Sequence, residues 1–448
     1  VDNILIGPES PDYESVRRPA IGRFENIRPR AVARCAAPAD VAEAISYARR
    51  GSLALAVRSG GHCFAGRSST EGVVIDVGPM ESVSISGSAV TVGAGTRLGD
   101  LYDVLTAHGI TIPAGCGPTV GIAGLTLGGG LGILGRRYGL TCDALRAAQV
   151  VLADGRVVEC DDERDADLFW ALRGGGNGSL GVVTSLTFET VPAPEATGFH
   201  LTWSATVAGD VIDAWQAWAP DAPDELAASL VISTAADPTR PPVTSVFGAW
   251  VLGGRQGIEP DCRARLAELV TRVGTAPASA EYREGSFRTT KRYLTEVDVH
   301  GTGEPEPPAI EVDSYSKSEF FDRPLPAETV TALVEHLVAE RRPGEARELD
   351  FTPWGGAYNR VARDATAFPH RGERFLLKQS AVVPHRRPAD LARRWLHRSW
   401  ELTHAYGTGG VYPNFPDPEL ADPAGAYYGA NRARLDKVKA AYDPENVF

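Results

Sequence analysis

Apolar positions in this chain recur at two periods. In Ala36-Ala-Pro-Ala-Asp-Val-Ala-Glu-Ala-Ile45, Pro38 sits near the first helical position, and Val41, Ile45 and Ala48 follow at helical spacing. This predicts a helix that ends by Gly51. Short apolar runs at 53–57, 72–76 and 89–93 predict strands, and residues 98–107 a second helix. From 113 to 139 glycine interrupts the pattern too often for a regular helix to be expected. Strands return at 148–153 and 156–159, joined through Asp154-Gly155 as a hairpin, and again at 180–188. Past Val191-Pro-Ala-Pro194 the texture changes to strands such as 199–203, separated by amphipathic helices over 260–273 and 327–340. The charged run 340–348 reads as a solvated loop, and the C-terminal stretch 427–448 ends in a helix closed by Asp443-Pro444.

Composition narrows the class of protein. The 448 residues are 43% hydrophobic and 23% charged, which excludes disorder as the main state and predicts two or three folding units. No apolar run approaches the roughly 18 residues of a membrane span, and Val1-Asp2-Asn3 opens no leader peptide, so a soluble, cytoplasmic protein is expected. A net charge of −12 argues against nucleic acid and against anionic membranes as partners. Cysteines 35, 63, 116, 142, 160 and 262 form no CxxC pair, so buried thiols are expected and no metal site.

Glycine is concentrated between Gly60 and Gly181, which points to backbone held close to a ligand. Gly130-Leu-Gly132-Ile-Leu-Gly135 matches the dinucleotide fingerprint GxGxxG, but the residues before it are too glycine-broken to form the buried strand that motif requires. The NAD reading is therefore set aside. The loop 58–68, held between two apolar runs, suits a backbone cradle for an anion.

Five segments taken together, Arg58-Ser-Gly-Gly-His62, Pro118-Thr-Val-Gly-Ile-Ala-Gly124, Gly128-Gly-Gly130, Asp167-Leu-Phe-Trp-Ala-Leu-Arg-Gly-Gly175 and Tyr412-Pro-Asn414, resemble the berberine bridge enzyme-like FAD-linked oxidases of the vanillyl-alcohol oxidase superfamily. The ending Tyr427-Tyr-Gly-Ala-Asn431 with Tyr442-Asp-Pro-Glu-Asn-Val-Phe448 is similar to that family's terminal signature. The resemblance implies an α+β, two-domain flavoprotein. Residues 1–193 and 395–448 would form a split FAD-binding domain, and 194–394 an antiparallel-sheet substrate domain.

It also implies the cofactor-binding set. Arg58, Ser59, Gly60, Gly61 and Ser68 would wrap the pyrophosphate. Gly115, Cys116, Thr119, Val120, Gly121, Gly124, Gly128, Gly129 and Gly130 would line the other side, with Gly181, Val183, Tyr412 and Asn414 completing the site. His62 stands where the family tethers the flavin covalently. The family's second tether is a cysteine directly before Pro-Thr-Val, a place held here by Gly117 with Cys116 one residue earlier. A single histidyl tether is the favoured reading, and a second through Cys116 the alternative. Val120 matches a small gatekeeper that admits oxygen.

The implied chemistry is hydride transfer from an alcohol or activated C–H bond to flavin N5, with O2 reduced to H2O2. Tyr412-Pro-Asn414-Phe415 lacks the phenol that serves as base in many relatives. Tyr412, Tyr358, Lys378 and Gln379 are the catalytic candidates, with Tyr315, Lys317 and Glu319 behind them. The expected substrate is a small molecule from secondary metabolism. A sugar oxidase using Trp203, Trp250 or Trp354 as platforms is one alternative, and a flavin-dependent cyclase or flavin-binding protein with weak oxidase activity is another. Substrate identity and oligomeric state are left open by the sequence.

Overall fold

The computed structural model describes residues 3–175, 178–252, 258–299 and 310–448. Its first sheet has the order Leu5–Ile6, Ala31–Arg34, Val73–Asp76, Leu55–Arg58, with the last three strands parallel. Helix Pro38–Arg50 links two of these strands and buries Val41, Ala44, Ile45 and Ala48, the stripe expected from the spacing. Asp40 accepts from the Ala36 and Ala37 amides at 2.9 Å, satisfying donors left open at the helix start.

A second, antiparallel sheet runs Val83–Ser86, Ala89–Gly93, Val182–Glu189, Leu145–Val151, Val157–Asp161. Its last two strands turn through Asp154-Gly155, where Gly155 takes φ +85°. The glycine-rich stretch is more ordered than its composition implies. Ile122–Leu127 forms a short helix, because Gly124 is its only glycine, and Gly135–Tyr138 adds a single turn. Gly130 follows no strand, in keeping with rejection of the dinucleotide motif.

The third sheet has seven antiparallel strands in the order Ser279–Ser286, Glu195–Ser204, Val243–Leu252, Leu226–Thr234, Ala346–Pro353, Phe375–Pro384, Val312–Phe321. Alternate residues point to opposite faces. Leu230, Ile232, Leu349, Phe351, Phe375 and Leu377 pack into one core with helices Ala208–Trp218, Ala327–Val338 and Asp390–His404. From the other face Ala196, Ala249 and Val251 join the core of the first two sheets, so the seven-stranded sheet roofs the N-terminal unit. Helix Arg432–Tyr442 returns Leu435 and Val438 to that same core, so the first unit is discontinuous in sequence.

The charged run 340–348 is not wholly a solvated loop. Arg347 and Glu345 are buried and paired at 2.7 Å, and Arg347 also donates to the carbonyls of Leu337 and Ala339. A cation there satisfies acceptors left open at the end of helix Ala327–Val338.

Candidate cofactor and active site

Two loops meet at a separation that only glycine permits. A Cβ on Gly60 would lie 2.3 Å from the Gly121 nitrogen, and one on Gly121 would lie 2.1 Å from Ser59 Oγ. Gly61 adds a left-handed turn at φ +74°. Ser59 Oγ donates to Ala94 O at 2.6 Å, and His62 Nε2 and Thr119 Oγ1 share a hydrogen bond of 3.0 Å that joins the loops. Burial, reinforced by the nearby Arg97 charge and opposed by Thr119, lowers the His62 pKa. The imidazole is therefore neutral at neutral pH, with a nitrogen lone pair to share.

These loops border a cavity of about 660 Å³. Its walls include Ser59, Gly60, Gly61, His62, Ser68, Gly115, Cys116, Val120, Gly121, Gly124, Gly181, Val183, Tyr412 and Asn414. Two features of the wall suit a bound ligand. Ser68 Oγ is buried in the wall without a hydrogen-bond partner among the described residues, and a Cβ on Gly124 would meet no protein atom within 4 Å, standing instead in the cavity. A cavity of this volume with mostly apolar walls and two glycine loops fits FAD.

Other residues predicted for the cofactor stand behind this wall. Arg58 is buried and donates to the carbonyls of Ser68, Val16 and Arg17 at 3.1, 2.7 and 3.0 Å, so it closes its own loop and does not line the cavity. Thr119 acts through His62. Gly128 makes room for Asn414, and Gly130 and Leu131 each donate an N–H to the Tyr412 hydroxyl at 3.0 Å. Gly129 supports the same turn at φ +111°, its carbonyl accepting from the Cys142 amide.

Most of the catalytic candidates are placed where they have no base to offer. Tyr412 lines the cavity, but burial, which outweighs three hydrogen bonds to its oxygen, pushes the phenol up to about 12. Tyr358 stacks on Trp354 at 4.3 Å and donates to Gly132 O at 3.1 Å, and burial raises its pKa too. Gln379 donates to Thr403 Oγ1 at 3.0 Å on the helix-covered face of the sheet. Lys317, paired with Asp417 at 2.8 Å, and Glu319, bonded to His404 at 3.0 Å, share that face. Tyr315 lies under the Arg23 guanidinium. Trp203, Trp250 and Trp354 are buried in cores and present no platform.

Lys378 faces the other way. Its ammonium lies 3.2 Å from Glu348 Oε1, 3.4 Å from Asp350 Oδ2 and 5.4 Å from the centroid of Phe415, a cavity wall residue. Burial alone would lower the Lys378 pKa, but the two carboxylates outweigh it and hold the lysine charged, so it is no base. Burial raises the Asp350 pKa, opposed by Lys378 and reinforced by Glu348. The three side chains are 21%, 18% and 23% exposed for Lys378, Glu348 and Asp350, on the face of the sheet that meets Phe415. The sequence reading missed both carboxylates, although the alternation Glu348-Leu-Asp350 already placed them on one face of a strand.

Two cysteines also reach the cavity wall. Cys63, expected as a buried thiol, lines it beside His62, and Cys116 lines it with its Sγ 3.7 Å from the ammonium of Lys291. Among the described residues no group of histidine, cysteine and carboxylate is arranged to hold a metal, and no helix is long and apolar enough to cross a membrane.

Residues 29–161 match the FAD binding domain model, and 411–448 match the berberine and berberine-like model. The chain is 31% identical to the FAD-linked oxidoreductase YgaK of Bacillus subtilis, over 99% of this chain and 95% of that protein. It is 28% identical to a chitooligosaccharide oxidase of Gibberella zeae, over 95% and 88% of the two chains. Among solved structures, Physcomitrella patens BBE-like 1 superposes with a TM-score of 0.83 at 27% identity, covering 99% of this chain and 95% of that one.

Proposed function

For a chain that belongs to the berberine bridge enzyme-like FAD-linked oxidoreductases, we propose an oxidase that acts on an alcohol or activated C–H bond of a small to medium organic substrate, with Asp350 as the proton acceptor. The observation that carries this reading is the Glu348, Asp350 and Lys378 cluster on the roof, beside Phe415. FAD, when bound, supplies the hydride acceptor and the route of the electrons to O2, giving H2O2.

The chain's own residues do the rest. His62, neutral and oriented by Thr119, offers a nitrogen for the single covalent tether. The wall around His62 and Tyr412 holds the ring system, and the small Val120 side chain leaves room for oxygen. Phe415 gives the substrate an apolar surface in place of a phenol. Asp350 takes the hydroxyl proton, its affinity for protons already raised by burial, while the charged Lys378 steadies the carboxylate once it is ionised.

The test is anaerobic mixing of the yellow protein with a panel of alcohols and phenolic C–H substrates, followed by air. Bleaching, then recovery of colour with one H2O2 per product, is the expected result. A protein that bleaches but fails to recover in air is a dehydrogenase. One that never bleaches is the flavin-binding alternative.

A further inference from the structure

Helix Phe287–Glu296 carries a lysine into the interior, against the loop that bears Cys116. Lys291 is 6% exposed. Its ammonium donates to Gly115 O at 2.6 Å, Tyr102 Oη at 3.0 Å and Ala114 O at 3.4 Å, and lies 4.1 Å from the Tyr102 ring centroid. Among the described residues it makes no salt bridge to a carboxylate; the group able to compensate its charge is Cys116, whose Sγ is 3.7 Å away. Burial lowers the Lys291 pKa, opposed by Cys116, which favours the neutral amine more than on any exposed lysine. Cys116 in turn opens onto the cavity, whereas Cys35, Cys142, Cys160 and Cys262 are buried. A thiol within reach of small oxidants thus faces a buried nitrogen nucleophile across the junction between the two units.

We propose that Cys116 and Lys291 are a modification site, forming an oxidative cross-link that joins the roof unit to the cavity wall. Hydrogen peroxide transfers one oxygen to the Cys116 thiol, giving a sulfenic acid and water. The neutral Lys291 amine then attacks sulfur. The S–N bond forms as the S–O bond breaks, and the leaving hydroxide departs as water with a proton from nitrogen. Overall, one thiol, one amine and one H2O2 give one sulfenamide and two waters, with sulfur oxidised by two electrons and peroxide reduced. Closure ties helix Phe287–Glu296 to the loop through Gly115 and Cys116. That the enzyme supplies its own peroxide rests on the oxidase reading; the cross-link itself does not.

The experiment therefore adds H2O2 directly to the holoenzyme, digests it without reductant and maps the peptides by mass spectrometry. The expected product is one peptide pair joining Cys116 to Lys291, lighter by two hydrogens than the sum of its parts and released by dithiothreitol. Cys116→Ser abolishes it completely. Lys291→Arg, which keeps the charge, leaves a sulfenic acid at Cys116 that dimedone traps. The proposal is overturned if oxidised wild type carries Cys116 as free thiol, sulfinic acid or a flavin adduct while Lys291 stays unmodified.

Discussion

Asp350 and Lys378 are register partners on neighbouring strands of the roof, with Lys378 Nζ 3.4 Å from Asp350 Oδ2. They stand 28 residues apart in the chain. The sheet brings them together on the face opposite the helices, where Phe415 approaches the lysine from the C-terminal part of the FAD unit.

Asp350→Asn removes the proton acceptor and preserves the shape of the site. A fall in kcat of about 10²–10⁴ is expected, with little change in KM. Lys378→Met takes away the charge that opposes the raised Asp350 pKa, so the acid limb of the kcat profile moves to higher pH. Steady-state peroxide assays across pH measure both. Wild-type kcat in Asp350→Asn would place the base elsewhere.

His62→Ala separates binding from attachment. Acid precipitation of the wild type should leave flavin on the pellet, attached to the peptide that contains His62. The variant should release all of its flavin, yet still purify yellow, because the rest of the cavity wall is unchanged.

The depressed His62 pKa also sets a pH dependence for apo protein produced under riboflavin starvation, to which no flavin has become attached. An unfolded histidine binds its proton near the ordinary value of 6.5, whereas the folded one resists protonation because of burial and Arg97. The unfolded state therefore binds more protons as pH falls through 6.5, and stability drops over that window. In apo His62→Gln, thermal melts from pH 7.5 to 5 should show a shallower decline than the apo wild type; an equal slope would remove His62 from the account.

Two glycine substitutions should fail differently. In Gly121→Ala the new methyl group meets Ser59 Oγ at 2.1 Å and the Gly60 nitrogen at 2.4 Å, forcing the loops apart. A loss of about 1–3 kcal/mol is expected, together with loss of flavin. Gly124→Ala meets no protein atom within 4 Å, so its melting temperature should hold while flavin affinity falls. Denaturation curves and flavin content on the same preparations distinguish the two.

Arg371 and Asp143 pair in the interior at 2.7 and 2.8 Å, with side chains only 1% and 9% exposed. Arg371→Met leaves a buried carboxylate without its cation and should cost about 3–5 kcal/mol. Chemical denaturation reads this directly, and a cost under about 1 kcal/mol would mean that water replaces the arginine.

Local signals carried much of this molecule. The helix Pro38–Arg50 and the Asp154-Gly155 hairpin follow from spacing and turn chemistry, which act over a few residues. The glycine loops were legible for the same reason, since close backbone approach demands glycine whatever the surrounding fold. Errors fell on charged and aromatic side chains whose surroundings come from distant chain. Arg58 looked like a cofactor ligand because it opens the loop, but the carbonyls of Val16 and Arg17 claim it. Glu348 looked solvated because it ends a charged run.

By itself, then, the sequence determined the glycine cradle and the alternation that gives each roof strand two unlike faces. These are properties of backbone freedom and of a period of two, and both are complete within a short segment. Which face looks down on the cavity, that Gln379 turns away while Lys378 meets Asp350 and Glu348, and that Lys291 arrives beside Cys116 were decided only when the sheet closed over the first unit. Charge pairing and burial depend on groups tens to hundreds of residues away, so the protonation of each group is a property of the assembled fold.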